Sequence, residues 1–199
     1  YSATLMIGNG GPEGQDDFIS RGGLAHDRKL RRFAPGFIVD MKTRSRTWRE
    51  PDEYLYPRVA AGVAEVVRAG GVVGMGSHGE MPGIGLHWEM QAHAMGGMSN
   101  AEVLLAATLG GAATIGRDAE FGSLEAGKFA DLVVLAKDPR SDLANALSIV
   151  QVMKNGRLLD GDTLHERWPT PHPLPRPWHW DDRPPGTPDP GAPVHEATP

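Results

Sequence analysis

Residues 57–76 carry the pattern that most limits how this chain can fold. Val59, Val63, Val66 and Val67 recur at helical spacing behind Pro57, which suits a first helical turn, and Gly70-Gly71 stop the run. Val72-Val73-Gly74-Met75-Gly76 follows at once as a short apolar strand, and the opening run Tyr1 to Ile7 also reads as a strand. The order strand, loop, helix, strand is that of a βαβ unit, whose strands lie parallel because the crossover carries the chain back to the end where it began. Parallel sheets bind ligands at the C-terminal ends of their strands. Ser77-His78-Gly79-Glu80 therefore occupies the place where chemistry is expected.

Between the two strands, Gly8 to Arg49 is rich in glycine and charge and shows no sustained apolar period, so it reads as a long loop with a short helix. Its basic run, Arg28 to Arg32, lies beside Asp27 and is expected to form a solvated helix face. GNGGPEG lacks the lysine and following helix of a phosphate loop, so its glycines are expected to shape turns. Farther on, Ser99 with Glu102 forms a capping box and Met98 with Val103 a hydrophobic staple, which predicts a helix to about Thr114. The pattern then shifts to short strands. Ala130 to Leu135 reads as a strand too apolar to be half exposed, and Asn155-Gly156 joins two further strands as a hairpin.

Of the 17 prolines, 11 fall from Pro169 onward, so the tail is expected to be extended; its Trp178-His179-Trp180 either docks on the body or stays free. The net charge of -5 argues against a nucleic-acid surface, and no apolar run is long enough for a membrane span. Zero cysteines restrict any metal to His, Asp or Glu ligands. The start at Tyr1 suggests a fragment.

Met98-Ser99-Asn100-Ala101-Glu102, the stretch GSLEAGKFADLVVL from Gly122 to Leu135, and Lys154-Asn155-Gly156-Arg157 together resemble the C-terminal signature of the amidohydrolase superfamily, with a close match in its imidazolonepropionase-like and dihydroorotase-like branches. GSHGEMPGIGLHWEM is similar to a subgroup often found behind a β-propeller. The resemblance implies an α/β fold, the C-terminal part of a (β/α)8 TIM barrel plus strands of a small composite β-sandwich. Residues 1–116 would be barrel strands seven and eight with their helices, 117–168 the β-domain strands, and 169–199 the Pro-rich tail. It implies a hydrolase of amide-type C–N bonds in a peptide, cyclic amide or N-acyl substrate, with water activated by a divalent metal, zinc in the first instance. Most metal ligands would lie in a barrel half outside this chain, so the fragment alone is expected to be inactive and is open to forming a homo-oligomer through its apolar edges. The subgroup leans toward a periplasmic or secreted protein.

Where the superfamily commonly reads Thr-Asp after strand eight, this chain reads Ser77-His78. A neutral imidazole can bind metal through one nitrogen but then loses that nitrogen's basicity. His78 is accordingly a metal ligand and catalytic group or a residue that caps the strand end. Glu80 is a proton acceptor in place of the missing Asp or a solvated loop acid. His87 contacts substrate, orients His78 or is structural, and Trp88 lines a substrate pocket or packs the loop; Glu89 and His93 are placed on other faces of the short helix that carries His87. His26 and Asp27 are lesser candidates at the barrel mouth. A scaffold that keeps the fold without catalysis is the alternative reading.

Overall fold

A computed structural model describes residues 1–7, 11–44, 49–78 and 81–175 of the chain. The fold is mixed α/β. Strand β1 (Ser2–Ala3) pairs in parallel with β2 (Gly74–Met75), Ser2 opposite Gly74 and Ala3 opposite Met75. Between them run α1 (Gly14–Ser20), α2 (Arg28–Phe33), α3 (Gly36–Arg44) and α4 (Tyr56–Arg68). After β2 come α5 (Ile84–Met95) and α6 (Asn100–Leu105), which continues through a π turn (Ala106–Gly110) into α7 (Gly111–Thr114). Strands β3 (Leu132–Leu135), β4 (Ile149–Lys154), β5 (Arg157–Asp160) and β6 (Glu166–Trp168) then form an antiparallel sheet in chain order.

The βαβ expectation holds: α4 has Pro57 in its first turn and buries Ala60, Val63 and Ala64. The paired part of β1 is shorter than the apolar run suggests. Leu5 and Met6 are buried, yet their amides turn to a side chain on α5 instead of a neighbouring strand. The glycine-rich stretch departs further from expectation, because three helices occupy it. Each is nine residues or shorter, so no apolar period lasts long enough to register, although Phe18, Ile19, Leu24, Leu30, Ala34 and Val39 all enter the core. Nor is the basic run wholly solvated, since Arg31 is buried against Asp40.

The capping box forms as read. Ser99 Oγ accepts from the Glu102 amide at 3.3 Å, and the Ser99 amide donates to Glu102 Oε2 at 2.7 Å. Met98 and Val103 are both buried. The π turn was not legible in the sequence; it lets the helix lie directly on β2. A Cβ at Gly110 would stand 2.2 Å from the Val73 carbonyl oxygen, so only a residue without a side chain allows this approach.

In the β-sheet, Asn155 and Gly156 both have positive φ, 49° and 78°, as a tight hairpin turn requires. Strand β3 is not fully buried: Val133 is 53% and Val134 38% exposed. It is an end strand of the sheet, with β4 as its partner among the described residues. The first part of the tail folds back, as Glu166 and His172 exchange both backbone bonds at 3.0 and 3.2 Å. Trp178-His179-Trp180 lies outside the described residues. No helix among the described residues is long and apolar enough to cross a membrane.

The Gly110 contact yields a direct check. Gly110→Ala should lower unfolding free energy by about 1–3 kcal/mol, because the helix must shift off the Val73 carbonyl. Denaturant titration with an unchanged slope would show that loss; an unaltered midpoint would mean the contact is looser than described.

Candidate active site

Strand β2 ends at Met75, and Gly76, Ser77 and His78 leave its C-terminal end. Ser77 lies against the first turn of α5, where a Cβ on Gly85 would meet its Oγ at 3.0 Å. His78 is exposed and has φ 59°, left-handed backbone that costs an L-residue roughly 1 kcal/mol or more unless the surroundings hold it there. The segment then dives inward at Met81, 1% exposed, whose carbonyl accepts the Gly85 amide at 2.9 Å as α5 begins. Glu80 lies outside the described residues.

Helix α5 carries the remaining polar groups. His87 is half-buried, and its Nδ1 is enclosed with no hydrogen-bond partner. Desolvation lowers its pKa, which favours the neutral ring. It lines a cavity of about 410 Å3 between α2, α5 and the antiparallel sheet. Trp88, by contrast, is 6% exposed and stacks on Phe18 with ring centroids 5.9 Å apart, while Phe18 also meets Tyr56 at 5.9 Å. Of the two alternatives for Trp88, packing is the one its position serves.

Glu89 and His93 lie away from the face that carries His87, as the sequence reading placed them. They are four residues apart, share one face of α5, and are both fully buried. Glu89 Oε1 accepts from the amides of Leu5 at 2.8 Å and Met6 at 3.0 Å, so the carboxylate satisfies two backbone donors just beyond β1. The Met6 carbonyl in turn accepts from the Gln15 amide at 3.0 Å, tying α1 to the same point. His93 Nδ1 donates to the Glu89 carbonyl at 2.8 Å, which fixes the proton on Nδ1 and leaves buried Nε2 as an unpartnered acceptor. Burial lowers the His93 pKa. Burial pushes Glu89 up to about 7, against the pull of the two backbone donors. No run of residue types announced this clamp. The available signal was the i,i+4 spacing of an acid and a histidine within an otherwise apolar helix.

Among the described residues, no three His, Asp or Glu side chains come together as a metal-binding group. Glu89 commits one oxygen to backbone amides. The described residues therefore do not by themselves fit the zinc centre that the resemblance implies. His26 is exposed and ends a 3-10 turn, and Asp27 caps α2 through the Leu30 amide at 2.7 Å; neither forms part of the His78 segment.

Residues 71–159 match the model of the amidohydrolase family. An imidazolonepropionase from Symbiobacterium thermophilum is 41% identical over 66 residues, covering 32% of this chain and 16% of that protein. The chain thus spans about a sixth of the length of this curated relative. Among solved structures, an uncharacterized protein aligns over 80% of this chain and 34% of its own, with 22% identity and a TM-score of 0.50, which is a likeness of fold. A Xaa-Pro dipeptidase with methionine in its active site aligns over 66% of this chain and 34% of its own, with 20% identity and a TM-score of 0.48.

The Glu89 clamp makes stability depend on pH in a defined direction. Between its ordinary value of 4.5 and about 7, the folded state keeps a proton that the unfolded state has released. Unfolding free energy should therefore fall as pH rises through that window, by on the order of 3 kcal/mol, and level off above it. Glu89→Gln keeps an acceptor for both amides and should remove this slope, whereas Glu89→Ala strands two donors and should cost about 2–5 kcal/mol. Denaturant unfolding from pH 4.5 to 8 provides the comparison; parallel curves for the native chain and Glu89→Gln would refute the assignment.

Proposed function

We propose that this chain, whose residues 71–159 match the amidohydrolase family model, is part of a metal-dependent hydrolase of that family acting on amide-type C–N bonds, in a peptide, cyclic amide or N-acyl compound. The observation that carries this reading is the placement of His78. The family segment begins at Gly71, enters a strand paired in parallel with β1, and delivers His78 at the C-terminal end of that strand. Active sites of parallel α/β folds lie at such ends because the strand fixes the backbone while the following loop is free to present side chains. In this reading β1 and β2 are the last two strands of a (β/α)8 barrel within 1–116. Strands β3 to β6, within 117–168, belong to a composite β-sandwich, and 169–199 is an appended tail.

His78 would act on the reacting amide, holding or transferring a proton at its accessible ring. Its left-handed backbone supports this role, since strain of that kind is retained where a side chain must point in one direction. Glu80, two residues on, would accept a proton from the attacking water. His87, kept neutral by burial, would hydrogen-bond the substrate, with packed Trp88 holding that turn of α5 in place. A divalent metal, zinc by the same resemblance, belongs to the proposal as the cofactor of the whole enzyme. With His78 as the donor offered at the strand end, the chemistry assigned to this chain stays with protons and hydrogen bonds. An exported location is part of the same proposal.

The test is turnover by the longer enzyme containing this chain, assayed on a dipeptide, a cyclic amide and an N-acyl amino acid. His78→Asn should lower kcat by about 100-fold or more, the usual scale for removing a proton-transfer group. His78→Gly should lose activity alike while stability stays within about 1 kcal/mol, because glycine relaxes the left-handed backbone. Full turnover in either variant would sink the role given to His78, and no hydrolysis of any amide would sink the reaction class.

A further inference from the structure

We infer that the cavity between α2, α5 and the antiparallel sheet binds an uncharged, mainly apolar molecule through a carbonyl oxygen, with the His87 ring as hydrogen-bond donor. The inference deepens the reading of His87 as a substrate contact and rests on it for the ligand's part in the reaction. Binding itself requires no turnover.

The walls set the first limit on the ligand. Leu30 and Phe33 from α2, Ile84 from α5, and Ile149 and Val152 from β4 make a mainly apolar cleft of about 410 Å3, open to solvent on one side, a volume in the range of small-molecule sites. The charges at its edge are already engaged. Lys29 Nζ pairs with Asp162 at 2.8 Å and donates to the Ile149 carbonyl at 3.2 Å, and Asp27 accepts from the Leu30 amide at 2.7 Å. An anionic ligand would shed its water and find Lys29 already paired with Asp162, which is unfavourable.

His87 sets the second limit. Its Nδ1 is enclosed and unpartnered, whereas Nε2 is not one of the described buried atoms that lack a partner. A neutral imidazole carries one proton. A buried N–H without an acceptor is rarer than a buried acceptor without a donor, so the proton belongs on Nε2 and Nδ1 keeps its lone pair. The accessible side of the ring is thus a donor. Its complement is an acceptor that carries no charge and sits on an apolar body, which describes an aryl or alkyl amide and excludes a carboxylate or an amine.

Methyl NMR of the 199-residue chain with benzamide, benzoate and ethylbenzene separates these features. Benzamide should shift the methyl signals of Ile84, Ile149 and Val152 saturably. Ethylbenzene, which lacks the carbonyl, should bind about fivefold more weakly and benzoate at least about tenfold more weakly at pH 7.5. His87→Phe should reduce benzamide to the level of ethylbenzene without weakening ethylbenzene. Absence of saturable shifts, benzoate binding as tightly as benzamide, or an unchanged benzamide affinity in His87→Phe would each overturn the inference. Should that variant fail to fold, the three-ligand series on the unsubstituted chain decides alone. Benzamide binding by a longer enzyme that hydrolyses no amide would refute the hydrolase reading and leave the cavity standing; amide turnover without benzamide binding would do the reverse.

Discussion

A single carboxylate oxygen organises the first half of the molecule. Glu89 Oε1, fully buried on α5, accepts the amides of Leu5 and Met6 at the point where β1 stops pairing with β2. Buried backbone donors must find acceptors, and here a helix side chain supplies what a third strand otherwise would. The same point receives α1 through the Gln15 amide, and Phe18 of α1 stacks on Trp88, the residue beside Glu89. One interaction thus registers β1, α1 and α5 against each other. The segment that ends in His78 leaves β2 beside this frame, so the strand end from which it departs is fixed by packed core.

That arrangement explains how much could be read in advance. Features that depend on local chemistry were legible: the helix behind Pro57, the capping box of Ser99 and Glu102, and the turn at Asn155-Gly156 each follow from residues within a few positions of one another. So was the position of His78 at a strand end, because a strand directly after a helix fixes where its C-terminus falls. The helices between residues 14 and 44 were hidden because each is too short to complete a pattern. The Glu89 clamp was hidden for another reason. Its partners are more than eighty residues away, and an acid and a histidine on an apolar helix look like polar decoration until Leu5 and Met6 come into contact with them.

Apolarity misled in one place. Leu132 to Leu135 has the composition of a covered strand, yet Val133 and Val134 remain accessible because β3 ends the sheet among the described residues. Composition reports what a strand tolerates and topology decides what it receives. The opposite error arose at Arg31, whose charge suggested solvent and whose guanidinium is enclosed with Asp40. In both cases the deciding partner is remote in sequence or set by the order of strands.

The π turn at Ala106–Gly110 has a consequence for how this part of the chain can vary. A π turn contains one residue more than the α turn it replaces, and that extra residue rotates everything after it by about 100° around the helix axis. The rotation brings Gly110 beneath Val73 and sets Thr114 against Gly74. An exposed position in the turn, such as Thr108, is free to change in kind. Deleting a single residue anywhere in the turn would restore an ordinary helix and swing Thr114 away from β2. Over this stretch the chain is constrained in its length more strictly than in its spelling.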